Sequence, residues 1–443
     1  MTSKNIKPEL PGGFRDYLPA ETAQREHLLT AIRGVFEQYG FVSFETPAVE
    51  RREILTGGDP EFDKEIFRVG LREDDEDLAL RFDLTVPLAR VVAAYPQDIV
   101  KPFRAYRIGK VWRGERQQAG RYREFLQCDV DIVGSSRLEA DAEIIVVLVE
   151  VMKALGVEDA VIAISNRKLL NGILQQLGVT DELAPKVLRA IDKLDKRSWD
   201  EIAEELQSIG LDTAQIEELK KLIDVKNDTV DVVLDALSER VTDAQGQEGI
   251  SELRTLAKLL RAYQAPDTAW RVDPTIARGL GYYTGPVFEI RIPESEVGSV
   301  GGGGRYDTLV ERFSTKPIPA VGASIGFDRL FTVLQKKNGI AVEAVGASVL
   351  VLNFADAARD ICIAVTQELR NAGIATEFYI GQEENLKGQF AYAVKRGVPV
   401  VLIIGDDEIK EGTVQVKDMR AGTQDTVKQQ QVIAAVQKII API

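Results

Sequence analysis

The chain has 443 residues, enough for two to four domains at roughly 100 to 200 residues each. Its 55 lysines and arginines against 69 aspartates and glutamates leave a charge of −14, which excludes a uniformly basic nucleic-acid coat and obliges any polyanion to meet a local patch. One histidine, His27, rules out a metal site needing two imidazoles and leaves Ser-His-Asp chemistry a single candidate base, while two distant cysteines, Cys128 and Cys362, cannot build a zinc cluster.

The N-terminal residues 1–13 lack an apolar signal core, and no apolar run approaches the roughly 20 residues that span a bilayer. With the cysteines far apart, the expectation is a soluble cytoplasmic protein without disulfides. Pro11 to Asp16 is a turn-rich entry to a helix predicted over 22–39, where Leu28, Leu29, Ile32, Val35 and Phe36 recur at helical spacing before Gly40 stops it. A short strand is expected over 41–46. Longer strands over 103–113 and 122–133 flank a polar, Gly-bounded connection and predict an antiparallel hairpin. A helix follows over 138–155.

From 166 to 264 the pattern is amphipathic helix, exemplified by Leu169, Leu170, Ile173, Leu174 and Leu177. This segment reads as an inserted helical module. Strand character returns at 287–290. The glycine run 301–304 reads as a flexible loop on composition, or else as a close approach of backbone to a ligand. A helix begins at Phe327, and the polar stretch 335–343 reads as a linker. Beyond it, apolar strands at 349–352, 375–378 and 400–404 alternate with helices at 357–372 and 386–396. That rhythm predicts a small parallel-sheet domain, closed by 413–416 and a helix over 427–440. The α+β chain thus divides into a mixed helix-and-strand core over 1–165 and 265–335, a helical insertion over 166–264 and a C-terminal α/β domain over 345–443.

Residues 101–125 carry eight basic side chains against Glu115 and Glu124 in an otherwise acidic chain. Alternation puts Arg107, Gly109, Val111 and Arg113 on one strand face, suited to bidentate contacts with phosphate or, equally, to a solvated basic hairpin. Phe125 offers a ring for stacking on a base. Asp129 and Asp131, alternating with Cys128 and Val130, offer acceptors on one face. Gly279 to Thr284 lacks the third glycine of a dinucleotide fingerprint, and no Walker sequence is present.

Taken together these residues resemble the class II aminoacyl-tRNA synthetases and, within the class, the histidyl-tRNA synthetase family, over essentially the whole chain. Residues 40–47 look like the first class motif, which builds a dimer interface. Phe103 to Phe125, with Trp112-Arg113-Gly114-Glu115, looks like the second, and 319–329, ending Gly326-Phe327-Asp328-Arg329, like the third. Arg278-Gly279-Leu280-Gly281-Tyr282-Tyr283 and Gly303-Gly304-Arg305-Tyr306-Asp307 look like the two family signatures, and Leu80 to Thr85 matches a further block. One departure is Gly281, where the family usually has Asp.

The resemblance implies an antiparallel catalytic sheet with a helical insert, an anticodon-binding C-terminal domain and a homodimer. It also implies adenylation of L-histidine by ATP with magnesium, followed by transfer to histidine tRNA. By the matching motifs Arg113 and Arg278 hold the α-phosphate and carboxylate and Arg329 the γ-phosphate. Phe125 stacks on adenine with Glu115 near its amino group, and Arg121 also faces the nucleotide. Asp83, Thr85 and Gln127 hold the amino acid's ammonium and carboxylate. Asp131 and Tyr283 pair with the imidazole nitrogens between Tyr282 and Tyr306, and Gln118 faces the tRNA acceptor end. Phe378, Tyr379, Gln382, Glu383 and Gln389 are candidates for reading the anticodon, or ordinary surface. The rival is a non-catalytic, histidine-sensing paralogue of the kind that regulates ATP phosphoribosyltransferase. The intact Arg113, Arg278 and Arg329 and the tail beyond Val345 argue against it.

Overall fold

The computed structural model describes residues 6–57, 63, 66–70, 76–114, 122–194, 197–225, 229–278, 282–337, 339 and 346–441. The chain divides into a larger unit, Met1–Leu18 with Arg25–Ala341, and a second, C-terminal unit, Val342–Ile443, with which Pro19–Gln24 is grouped.

The first helix is α1 (Pro19–Gln38), whose Leu28, Leu29, Ile32, Val35 and Phe36, all in the larger unit, are buried as the spacing predicts, while His27 is exposed. Ile32 and Phe36 are fully buried, each worth about 1.5–3 kcal/mol of transfer free energy. The helix ends at Gly40, whose φ of +74° a side chain would strain. A small sheet of β2 (Val49–Arg51), β4 (Leu78–Leu80) and β3 (Arg68–Val69), with the short α2 (Arg52–Thr56), leads into α3 (Thr85–Ala94). The three strands were not legible in the hydrophobic pattern, because each is only two or three residues long.

The main sheet has eight strands in the order β1-β5-β6-β11-β10-β9-β7-β8. They are β1 (Val42–Ser43), β5 (Phe103–Trp112), β6 (Glu124–Val133), β7 (Val161–Asn166), β8 (Trp270–Val272), β9 (Pro286–Arg291), β10 (Gly301–Arg305) and β11 (Ala320–Gly326). β5 and β6 form the expected antiparallel hairpin in full register, Phe103 opposite Val133 and Trp112 opposite Glu124. Among the described residues of this sheet, only β1 with β5 and β7 with β8 pair in parallel. Against the composition-based expectation, the glycine run is a strand in mid-sheet rather than a flexible loop. A Cβ on Gly303 would lie 1.9 Å from the Gly322 carbonyl oxygen and one on Gly302 2.4 Å from that of Phe288, so the strand fits here only without side chains.

α4 (Leu138–Ala154) packs in the same core as α1. The segment expected to be an insertion runs through α5 (Arg167–Gln176), α6 (Ala184–Ile191), α7 (Trp199–Ile209), α8 (Thr213–Ile223), α9 (Val230–Arg240) and α10 (Ala244–Ala262). Ser198 and Asp212 begin α7 and α8 with reciprocal capping boxes to Glu201 and Gln215. α5 and α10 meet at glycines. A Cβ on Gly172 would sit 2.3 Å from the Gly246 nitrogen, and one on Gly249 2.4 Å from that of Leu169. α11 (Phe327–Lys337) closes the unit; the linker expected over 335–343 is helical to Lys337 and otherwise lies largely outside the described residues.

The C-terminal unit holds a five-stranded sheet in the order β13-β12-β14-β15-β16. β12 (Val349–Val351) pairs in parallel with β13 (Thr376–Phe378) and β14 (Val400–Ile403), separated by α12 (Arg359–Asn371) and α13 (Leu386–Arg396). The sheet is mixed rather than purely parallel: β15 (Thr413–Asp418) and β16 (Gln424–Lys428) continue it antiparallel. The last helix, α15 (Val432–Ile440), therefore starts later than expected, and a short α14 (Asp406–Glu411) precedes β15. Among the candidate anticodon readers, Tyr379 and Gln389 are buried. The Gln389 amide donates to the carbonyls of Asn353 and Glu383, which makes it a structural residue.

Candidate active site

Alternation on β6 points Gln127, Asp129 and Asp131 to one face of the sheet. Opposite them on β5 stand Gly109, Arg107 and Ala105, and on β11 Gly326, Ser324 and Gly322. The small neighbours leave room for the long side chains. A Cβ on Gly322 would meet the Asp131 carboxylate at 1.7 Å, and one on Gly109 would lie 2.6 Å from the Arg81 guanidinium. Arg81 bonds the carbonyls of Lys110 and Thr46 at 2.9 and 2.7 Å, so Arg81, in the block that leads to Asp83, is tied to β5.

A cavity of about 60 Å³ opens on this face. Asp83, Thr85, Arg113, Gln127, Asp131, Arg278, Tyr282, Tyr283 and Tyr306 line it, together with Gly302, Gly303 and Ser324. Asp83 sits just before α3, where one carboxylate oxygen accepts from the Val86 amide at 3.1 Å. Its other oxygen is buried without a partner among the described residues, and burial raises its pKa. The Gln127 amide donates to the Ser324 hydroxyl at 2.6 Å and leaves its own oxygen without a partner among the described residues. Acceptors aimed at a buried space and left unsatisfied are costly unless a ligand supplies the donor.

Asp131 is paired from two sides, by the Arg107 guanidinium and by the Tyr306 hydroxyl. The alternative to imidazole recognition, an ion pair with a neighbouring arginine, is thus present, and Asp131 still borders the cavity. Asp129, nearly inaccessible, lies 4.0 Å from Arg107. Burial pushes its pKa up to about 7 against the attraction of Arg107, with the Asp131 charge adding to the rise. Burial also keeps the Tyr282 and Tyr306 phenols protonated, hence able to donate. The rings of Tyr282 and Tyr283 lie 4.8 Å apart, and Tyr306 meets Tyr282 edge-on at 6.0 Å.

Arg113 follows β5. Its Nε donates to the Phe82 carbonyl at 3.1 Å, and its guanidinium stands 5.3 Å from the centre of the Phe125 ring. Arg278 has φ +49°, a left-handed conformation that costs a non-glycine residue energy. It is held there from two sides: Arg167, at the start of α5, donates to its carbonyl at 3.1 Å, and its side chain bonds Glu289 at 3.2 Å. Gly302 is again required, since a Cβ there would lie 2.8 Å from the Arg278 side chain. Arg305 anchors the end of β10 in a buried pair with Asp141 and donates to the carbonyls of Ser135 and Arg137 at 3.0 and 3.1 Å, thereby fixing Tyr306 beside Asp131.

Arg329 does not line the cavity; on α11 it donates to the Ser299 carbonyl at 3.3 Å. Its neighbour Asp328 gathers Tyr17, Arg25 and the Leu126 amide at 2.6, 2.5 and 2.6 Å, fastening α11 to β6. Glu115, Gln118, Arg121 and Gly281 lie outside the described residues. Ser324 and the pocket-lining Gly302, Gly303 and Gly322 escaped sequence reasoning as individual site residues. The available signal was the small-residue strand 320–326 aligned against Gln127, Asp129 and Asp131.

Comparison with known proteins agrees with this geometry. Residues 13–349 match the family described as Histidyl-tRNA synthetase and 347–439 the one described as Anticodon binding domain. The chain is 39% identical to a histidine–tRNA ligase of Clostridium tetani (strain Massachusetts / E88), covering 98% of this chain and 99% of that one. It is 40% identical to one of Helicobacter pylori (strain ATCC 700392 / 26695), covering 95% of each. Among solved structures, histidyl-tRNA synthetase from Nostoc sp. PCC 7120 superposes with a TM-score of 0.85 at 34% identity, over 98% of this chain and 100% of that one. A pocket of this composition on an antiparallel sheet, in a chain matched from end to end, has one consistent reading: the chain belongs to the histidyl-tRNA synthetase family.

Proposed function

We propose that the pocket activates L-histidine with MgATP and that the chain transfers the histidyl group to histidine tRNA. The observation that carries this reading is the convergence of two arginines, Arg113 and Arg278, with the buried acceptors Asp83, Gln127 and Asp131 around one small cavity. In the first step a carboxylate oxygen of histidine bonds to the α-phosphorus of ATP, and the bond to the bridging oxygen breaks with pyrophosphate taking the electron pair. In the second, the terminal ribose hydroxyl of the tRNA bonds to the acyl carbon, AMP departs and the hydroxyl proton is released.

Charge accumulates on the α-phosphate in the first step, and cations fixed in advance stabilise it without reorganising. Arg113, braced by the Phe82 carbonyl, and Arg278, braced by Arg167 and Glu289, are such cations. Asp83 and Gln127 offer unpaired acceptors for the ammonium group. Asp131 and the three tyrosines enclose the side chain, and Arg329 serves the γ-phosphate from α11. Magnesium enters as the counter-ion of the triphosphate, which asks the protein for only one or two carboxylates. Glu115 and Arg121 at the nucleotide, and Gln118 at the acceptor end, belong to the same reading. So does anticodon reading by the C-terminal unit, to which Gln382 and Glu383 contribute exposed side chains. The protein would act as a homodimer through residues 40–47, in the cytoplasm. Among the described residues no helix is long and apolar enough to cross a membrane.

The deciding experiment is ATP–pyrophosphate exchange with each of the twenty amino acids. Exchange with histidine above all others is expected. Binding of histidine without exchange would instead assign the chain to the histidine-sensing paralogues.

A further inference from the structure

Arg107 is almost wholly buried, yet its hydrogen bonding is unlike that of a structural ion pair. A guanidinium opposite a carboxylate normally engages it with two parallel N–H groups. Here only Nη2 reaches Asp131, while Nε and Nη1 have no hydrogen-bond partner among the described residues and the guanidinium stands 5.4 Å from the centre of the Phe44 ring. Asp129, opposite Arg107 in the strand register, is the nearer candidate by sequence. It stays at 4.0 Å, beyond hydrogen-bond reach, with one oxygen unpartnered. Arg107 is therefore committed to the carboxylate that borders the cavity rather than to its cross-strand neighbour.

We propose that Arg107 is a positioning residue for amino-acid selection, holding Asp131 as an ionised acceptor so that the pocket takes a side chain with a ring N–H and rejects one without it. This rests on the reading of the pocket as a histidine site. An ionised carboxylate has about four lone-pair sites, of which Arg107 and Tyr306 occupy two. The remainder can accept from a ring nitrogen. Burial without Arg107 would favour the neutral acid, which presents a proton to the same nitrogen and reverses the preference. Asp83 at the start of α3 and Asp129 on β6 are the other carboxyls on this face, so removing the guanidinium leaves three acidic groups with Arg113 and Arg278 as the cations bordering the cavity.

The test is pyrophosphate exchange by the full chain with histidine and with its two ring-N-methyl isomers. The unaltered protein should reject the isomer methylated at the nitrogen facing Asp131 by roughly a hundredfold or more in kcat/KM. In Arg107→Met, the KM for histidine should rise about tenfold and selectivity against that isomer should fall about tenfold, with kcat and the KM for ATP within about threefold. Arg107→Lys, which supplies a cation for a one-pronged contact, should restore both. Arg107→Gln, equally uncharged, replaces the methionine variant should that one not fold. An uncharged variant with unaltered histidine KM and selectivity overturns the proposal, and so does a lysine variant as impaired as the uncharged one, which would mark a packing role. Failure of the unaltered protein to activate histidine would instead overturn the ligase reading.

Discussion

Arg113 and Asp129 stand on adjacent strands of one sheet face, and their substitutions should behave in opposite ways. Among the described residues the Arg113 side chain bonds the Phe82 carbonyl and stands over Phe125. Arg113→Ala should lower pyrophosphate exchange about a hundredfold or more, the equivalent of about 3 kcal/mol of transition-state stabilisation, with the thermal unfolding profile nearly unchanged. Near-normal exchange would remove it from the site. Asp129 acts on stability instead. Its folded-state pKa of about 7 lies above the ordinary carboxyl value, so the folded chain binds this proton more tightly than the unfolded one. Its contribution is fully present below about pH 4 and is lost as pH rises toward 7, with a slope of about 1.4 kcal/mol per pH unit for one proton. Urea unfolding of Asp129→Asn should lack that slope, so its stability relative to the unaltered protein should climb between pH 5 and 7; parallel curves would refute the shift. Arg113 was legible in the motif. The roles of Arg107 and Asp129 were not, because charge and alternation cannot separate a solvated basic face from a buried network; only the burial and the choice of partner do so.

Hydrophobic period and turn chemistry made the long elements readable, and the exceptions have physical causes. β16, with the sequence Gln-Asp-Thr-Val-Lys, is almost entirely exposed and offers no alternation, and α14 buries no residue at all. β10 was misread because glycine carries little strand preference; its partners, rather than its own residues, demand it. The same rule governs α5 and α10, which cross at Gly172, Gly246 and Gly249. Gly249→Leu would drive a side chain into the backbone of Leu169 and should cost about 1–3 kcal/mol, seen as a lowered unfolding midpoint, whereas Gly210→Ala near the end of α7 meets no neighbour and should show only the backbone cost of its φ of +117°. Equal effects of both would mean that the helices do not depend on close approach.

At the scale of the molecule, the larger and C-terminal units have separate apolar cores. A chain ending at Ala341 should therefore keep histidine-dependent pyrophosphate exchange while charging tRNA poorly, measured by acid-precipitable aminoacylation. Charging equal to that of the full chain would show that the tail does not read the anticodon. The expected division into core, insertion and tail rests on a change of period at each boundary. The sheet that joins the two separated core segments was legible through the family resemblance and not through the residue pattern, since it depends on pairings between residues nearly two hundred positions apart, such as Asp131 with Gly322. β7 and β8, which enter and leave the insertion, lie side by side in parallel, Ile162 beside Trp270. Parallel neighbours always need a connection over the sheet, for which a dozen residues and one helix suffice. Topologically, then, the six helices between them are a single overgrown crossover. The sheet constrains the two ends of that crossover and leaves its middle unspecified, so natural or engineered variation should resize the module freely, provided that Arg167 at its first turn still reaches the backbone of Arg278.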